Sequence, residues 1–179
     1  MNQRFRRQSQ RAIGFTLVEL VAVMSLVAIL SITAIPAVGT IERARKNAAA
    51  KELSRRCSLA RQRAMSIGER TGLAIDLKND EAIMMRLASG QTIARPTTGY
   101  TGGVETPWSV ASAYPGVRLE SFRHGDGKTG DGVIWFLVDG SPQVRLADGS
   151  FAAFSQNATI SMTGGLVVTI HRGTGAVEP

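Results

Sequence analysis

Few residues of this 179-residue chain have the types and spacings that chemistry requires. Its two histidines, His124 and His171, stand 47 positions apart, each without a second ligand at metal-binding spacing. No Gly-x-Ser-x-Gly turn presents a nucleophile. Gly127-Lys128-Thr129 ends like a phosphate-binding loop, but Phe122 occupies the position of the required earlier glycine. Asp126 and Asp131 flank a glycine-rich turn in which Lys128 takes the place of a calcium ligand, so a solvated turn is expected. Cys57 is the single cysteine, which excludes an intrachain disulfide and a multi-cysteine zinc site. The inventory predicts a protein that is not an enzyme and holds no metal or cofactor. What stands out instead is an acid, Glu19, next to the longest uncharged run of the chain.

That run, residues 20–38, is nineteen residues long, and as a helix it spans about 28 Å, close to the hydrocarbon thickness of a bilayer. It predicts one membrane crossing, and no second run approaches its length. A lone carboxylate one turn inside such a segment is costly, so Glu19 needs a cationic partner or its proton. Residues 1–14 carry Arg4, Arg6, Arg7 and Arg11 and no acid. Residues 40–67 hold eight basic residues against two acidic ones, and residues 68–179 nine against eleven. The net charge of +7 therefore belongs to the leader and to one stretch after the apolar run.

In that stretch Ala49, Leu53, Cys57, Ala60, Ala64 and Ile67 recur every three or four residues, which predicts a helix with a narrow apolar stripe. Cys57 lies on the stripe and reads as a small core residue. Glu42 with Lys46 and Glu52 with Arg56 are spaced as i,i+4 pairs, and Gly68 is placed to cap the end. Nothing before Gly68 stops the helix, so residues 15–67 are expected to form one helix of about 80 Å, bent or loosened by Pro36 and Gly39 but not ended by them.

From Gly68 onward, seventeen glycines fall within 112 residues, a turn-rich composition that reads as β-structure. Leu73, Ile75 and Leu77 alternate before Lys78-Asn79-Asp80, and Ile83, Met85 and Leu87 alternate after it, which predicts a hairpin. Residues 117–122 read as a third strand. Residues 133–138 are apolar on both faces, as in a covered central strand closed by Asp139-Gly140. Residues 166–170 and a short strand at Ala176 and Val177, joined by a turn at 173–175, end the chain. The expected fold is α+β: a long N-terminal helix laid on an antiparallel sheet.

Gly14 followed by Phe15-Thr16-Leu17-Val18-Glu19-Leu20, after an arginine-rich leader and before an apolar run, resembles a type IV pilin-like precursor. The resemblance implies a pilin-like fold, cleavage by prepilin peptidase between Gly14 and Phe15, and N-methylation of Phe15. It implies pairing of Glu19 with the N-terminal amine of an adjacent subunit, and a helix-kinking role for Pro36. It divides the chain into a leader (1–14), a membrane-spanning half-helix (15–38), a basic amphipathic half-helix (39–67) and a periplasmic domain (68–179). The stretches 132–142 and 166–177 resemble the end of the GspH/FimT-type domain. They imply a minor pseudopilin of type II secretion, a structural subunit of an inner-membrane-anchored filament built with other pseudopilins. A FimT/FimU-like minor pilin of a type IV pilus is the alternative within the family, and a single-span membrane-anchored periplasmic binding module is the alternative outside it.

Two other readings of the N-terminus are an ordinary secretory signal cut after Gly39 and an uncleaved anchor, and neither explains Gly14 and Glu19 together. Positive-inside counting points the other way, since residues 39–58 carry six basic residues against the four of the leader. The resemblance nevertheless implies that the leader faces the cytoplasm. Residues 96–116 form a long connection carrying Tyr100, Trp108 and Tyr114. These aromatics are expected to pack on the sheet, with contact to a neighbouring subunit or cargo as the alternative. Arg55, Arg56, Arg61 and Arg63 raise nucleic-acid binding as a rival function, against which a solvated helix face is preferred.

Overall fold

A computed structural model of the chain describes residues 16–98 and 103–179, with side chains throughout except at residues 32–38. Gly14, Phe15 and Tyr100 lie outside the described residues, as does the side chain of Pro36. Helix α1 runs over Leu17–Ile67 and does not end at Pro36, as the sequence predicts. The chain divides after Ile41 into two compact units.

In the first unit the described side chains of α1 at residues 17–31 are exposed: Leu17, Val18, Leu20, Val21, Met24, Leu26, Val27, Ile29 and Leu30 are each more than half exposed. The two hydroxyls between them are satisfied within the helix, Ser25 donating to the Val21 carbonyl at 2.8 Å and Ser31 to that of Val27 at 2.7 Å. Among the described residues no helix is long and apolar enough to cross a membrane.

In the second unit the predicted stripe is buried from Ala49 through Leu53, Cys57 and Ala60 to Ala64, all fully covered. Ile67 is the exception, half exposed in the last position of the helix, one turn past the end of the buried strip. Gly68 then takes φ +68° and donates its N–H to the Ala64 carbonyl at 3.2 Å, a left-handed cap that glycine forms without steric cost.

The β-structure forms two antiparallel sheets where one was expected. The larger has seven strands: β1 (Arg70–Asp76), β2 (Glu81–Leu87), β3 (Arg95–Pro96), β4 (Trp108–Ser109), β6 (Gly132–Phe136), β7 (Pro142–Arg145) and β8 (Phe151–Ala153). Their order is β3-β2-β1-β6-β7-β8, with β4 also pairing β2. The smaller sheet contains β5 (Leu119–Arg123), β9 (Ala158–Met162), β10 (Leu166–Ile170) and β11 (Val177–Glu178) in the order β11-β10-β9-β5. One short helix, α2 (Val110–Ala113), follows β4. The apolar core joins Ala49, Leu53 and Cys57 of α1 to Leu73, Met84, Ile134 and Phe136 of the larger sheet and Phe122, Ile160 and Ile170 of the smaller.

The hairpin forms where predicted, but Ala82 and Met84 set the core face of β2, and of Ile83, Met85 and Leu87 only Leu87 is buried. Pairing decides this: Leu73 lies opposite Met84 and Ile75 opposite Ala82, so side chains on the core face of β1 have those partners. In β6, Ile134, Trp135 and Phe136 are consecutively buried, as a strand covered on both faces requires. Trp135 lies across Gly72, where an added Cβ would stand 2.9 Å from the indole and 2.6 Å from the Ile134 carbonyl. Asp80 at the hairpin turn adopts φ +56°, and its buried carboxylate accepts the Leu119 N–H at 2.8 Å, tying the hairpin to the start of β5.

Candidate functional site

The residues with functional potential gather along α1. At its start Thr16 and Glu19 form a reciprocal cap. The Thr16 N–H and hydroxyl both donate to Glu19 Oε2 at 3.1 Å, and the Glu19 N–H donates to the Thr16 hydroxyl at 3.2 Å. This is a capping box, and its signature, Thr-x-x-Glu before an apolar run, is present in the sequence although the reading above gave Glu19 a pairing role alone. The carboxylate is thereby oriented toward the first turn of the helix.

Further along, α1 carries the predicted ion pairs. Glu42 meets Lys46 at 2.6 Å, and Glu52 is shared by Arg55 at 2.7 Å and Arg56 at 3.0 Å. Hydrogen bonding from Arg55, opposed by partial burial, holds the Glu52 carboxyl below its usual range. The four arginines proposed for phosphate contact are committed within the chain. Arg56 also lies over the Trp108 ring at 4.7 Å, and Arg61 Nε donates to the Gly140 carbonyl at 3.1 Å. Arg63 Nη1 donates to Glu105 Oε2 at 2.9 Å and to the Thr97 hydroxyl at 3.0 Å, while that hydroxyl donates to the same Glu105 oxygen at 2.6 Å. Arg61 and Arg63 thus anchor the turn after β6 and the connection after β3, and neither belongs to a free phosphate-binding face. Nothing in the sequence announces these partners, which lie 79 and 42 positions away.

Of the three aromatics in the long connection, Trp108 sits on β4 and Tyr114 ends α2, their rings edge to face at 6.3 Å and packed against the core. The segment is not structureless: β4 pairs with β2, and Ser109 caps α2. Its structured part is held to α1 through Trp108 over Arg56 and Glu105 on Arg63.

The remaining inventory shows no convergent chemistry. His124 Nε2 lies 3.0 Å from the Gly130 carbonyl, with the ring tilted on Phe122, while His171 faces Glu178 at 3.3 Å. Asp126 accepts the Lys128 N–H at 3.1 Å in a local turn. Burial pushes the Cys57 thiol up to about 12, so the group is a neutral core side chain. Among the described residues no group of three potential ligands could hold a metal.

No protein-family model and no curated protein matches the chain. Two solved structures of the minor pseudopilin EpsH from the type 2 secretion system of Vibrio cholerae do resemble it. One is 14% identical with a TM-score of 0.53, covering 75% of this chain and 94% of that one. The other is 15% identical at the same TM-score, covering 75% and 92%. At such identity the likeness concerns the backbone, and it agrees with a helix packed on antiparallel sheet as built above. The chain has a GspH-like pilin fold.

Proposed function

We propose that the chain is a minor pseudopilin, a non-enzymatic subunit of a type II secretion pseudopilus. The observation that carries this is α1 itself: a helix whose apolar side chains from Leu17 to Leu30 are exposed and whose second half is the spine of a domain with the EpsH-like fold. A filament subunit needs both halves, one to lie in the inner membrane and then in the filament core, the other to carry a folded domain in the periplasm. Prepilin peptidase would cut between Gly14 and Phe15, and the amine released there would be methylated. In the capping box Thr16 takes Glu19 Oε2, and the proposed pairing would use Oε1 for the ammonium of the same or a neighbouring subunit. The partners are then the peptidase, other pseudopilins and the inner membrane. The intramolecular engagement of Arg56, Arg61 and Arg63 weighs against nucleic acid as the principal ligand.

Glu19→Ala tests the reading. The variant should be processed at Phe15, because the peptidase site is untouched, but should fail to co-purify with other pseudopilins. Normal incorporation would refute the pairing role.

A further inference from the structure

The smaller sheet packs one face on the core, through Phe122, Ile160 and Ile170, and turns the other outward. The register sets a row of side chains across all four strands of the outer face. Arg123 of β5 lies opposite Thr159 of β9, Thr159 opposite Thr169 of β10, and Thr169 opposite Glu178 of β11. At about 4.8 Å from strand to strand, the ends of this row stand about 14 Å apart. Arg123 and Glu178 are exposed, and the two threonines are partly so.

Charge sits only at the two ends of the row. The middle strands add none to this face, where Ser161 of β9 lies opposite Val167 of β10, itself 41% exposed. Among the described residues Arg123 has no side-chain hydrogen bond or ion pair, and neither threonine hydroxyl has a hydrogen bond. Glu178 Oε2 lies 3.3 Å from His171 Nε2, which leaves Oε1 to accept from another donor. Such a row is its own complement. A two-fold axis parallel to the strands, passing between β9 and β10, lays β5 of one copy over β11 of the other. Arg123 then faces Glu178 at both rims, and Thr159 faces Thr169 between them. Short side chains on the middle strands let the faces approach, while the long ones at the rims reach across.

We infer that the outer face of the smaller sheet is a self-pairing surface, on which a second copy of this chain docks through reciprocal Arg123–Glu178 contacts. The inference stands on the folded domain alone and needs neither the processing nor the membrane insertion proposed above. A two-fold contact closes on two copies, whereas a helical filament repeats head to tail, so the pair is a form of the subunit outside the filament. Its rim charges are exposed, and the contact weakens with salt.

The test is sedimentation of the full chain in mild detergent over a range of concentrations. The native chain should form a dimer at low salt that dissociates on dilution and in high salt. Arg123→Glu and Glu178→Arg each set like charges against one another at both rims, and each should raise the dimer dissociation constant by about tenfold or more. The variant carrying both substitutions restores opposite charges and should recover the native constant, a result that simple loss of the fold does not give. A native chain that stays monomeric at every concentration overturns the inference, including one that binds a different subunit or a glycan on this face instead. So does a dimer unmoved by either single reversal, which would pair through another surface, or a combined variant that fails to recover.

Discussion

Breaking the Arg63–Glu105 pair separates a structural helix arginine from a ligand-binding one. The two side chains meet at 2.9 Å, about three-quarters buried, with the Thr97 hydroxyl bonded to both. Charge-assisted and partly withdrawn from water, the pair should couple by about 1–3 kcal/mol, more than an exposed surface pair. Glu105→Gln leaves Arg63 partly buried without its anion, whereas Arg63→Met removes the charge and keeps much of the apolar stem. Urea unfolding of the two single variants and the double variant in detergent gives the coupling. Each single variant should unfold at lower urea, and the double variant should lose less than the sum of the two. The reasoning is refuted by additive losses, with coupling below about 0.5 kcal/mol. It is equally refuted if Arg63→Met leaves stability unchanged while abolishing binding to another molecule.

Two further outcomes follow from burial and local hydrogen bonding. Cys57 is fully buried with its thiol pushed up to about 12, so alkylating reagents should modify it only when the chain unfolds; rapid modification at neutral pH in the folded state would contradict its core position. Hydrogen bonds from Ser141 to Asp139, from Ser150 to Asp148 and from the Asn79 backbone and side chain to Asp76 lower all three carboxyl groups. Because the folded values lie below the unfolded ones, the stabilisation is complete above about pH 4 and is lost as pH falls through the folded values. Unfolding midpoints measured from pH 6 downward should therefore decline below about pH 4, and midpoints that rise there would contradict the sign.

How much of this could be read from the sequence depends on how local the cause is. The amphipathic half of α1 was legible because its period repeats over five turns and Gly68 closes it, and the i,i+4 pairs follow from helix geometry alone. The hairpin was legible through its turn residues, but its buried face was not. Residues 82–85 are four consecutive apolar side chains, so alternation does not choose between Ala82 with Met84 and Ile83 with Met85. Register against β1 chooses instead. Strands β7 and β8 escaped notice because they are four and three residues long, and a sheet partner defines them more than their own pattern does. The two-sheet arrangement is a consequence of long-range pairing of the same kind. At the site, Glu19 was visible as an anomaly of charge in an apolar context, whereas the commitments of Arg61 and Arg63 depend on residues that only tertiary folding brings near. Thr16 carries a local signal of its own, the Thr-x-x-Glu spacing of a capping box.

The most direct decision comes from mass spectrometry of the chain recovered from membranes of cells that also express a prepilin peptidase. A mature polypeptide beginning at N-methylated Phe15 is expected. A chain still beginning at Met1, or one beginning at Thr40, would contradict pilin-type processing and with it the proposed role in a filament.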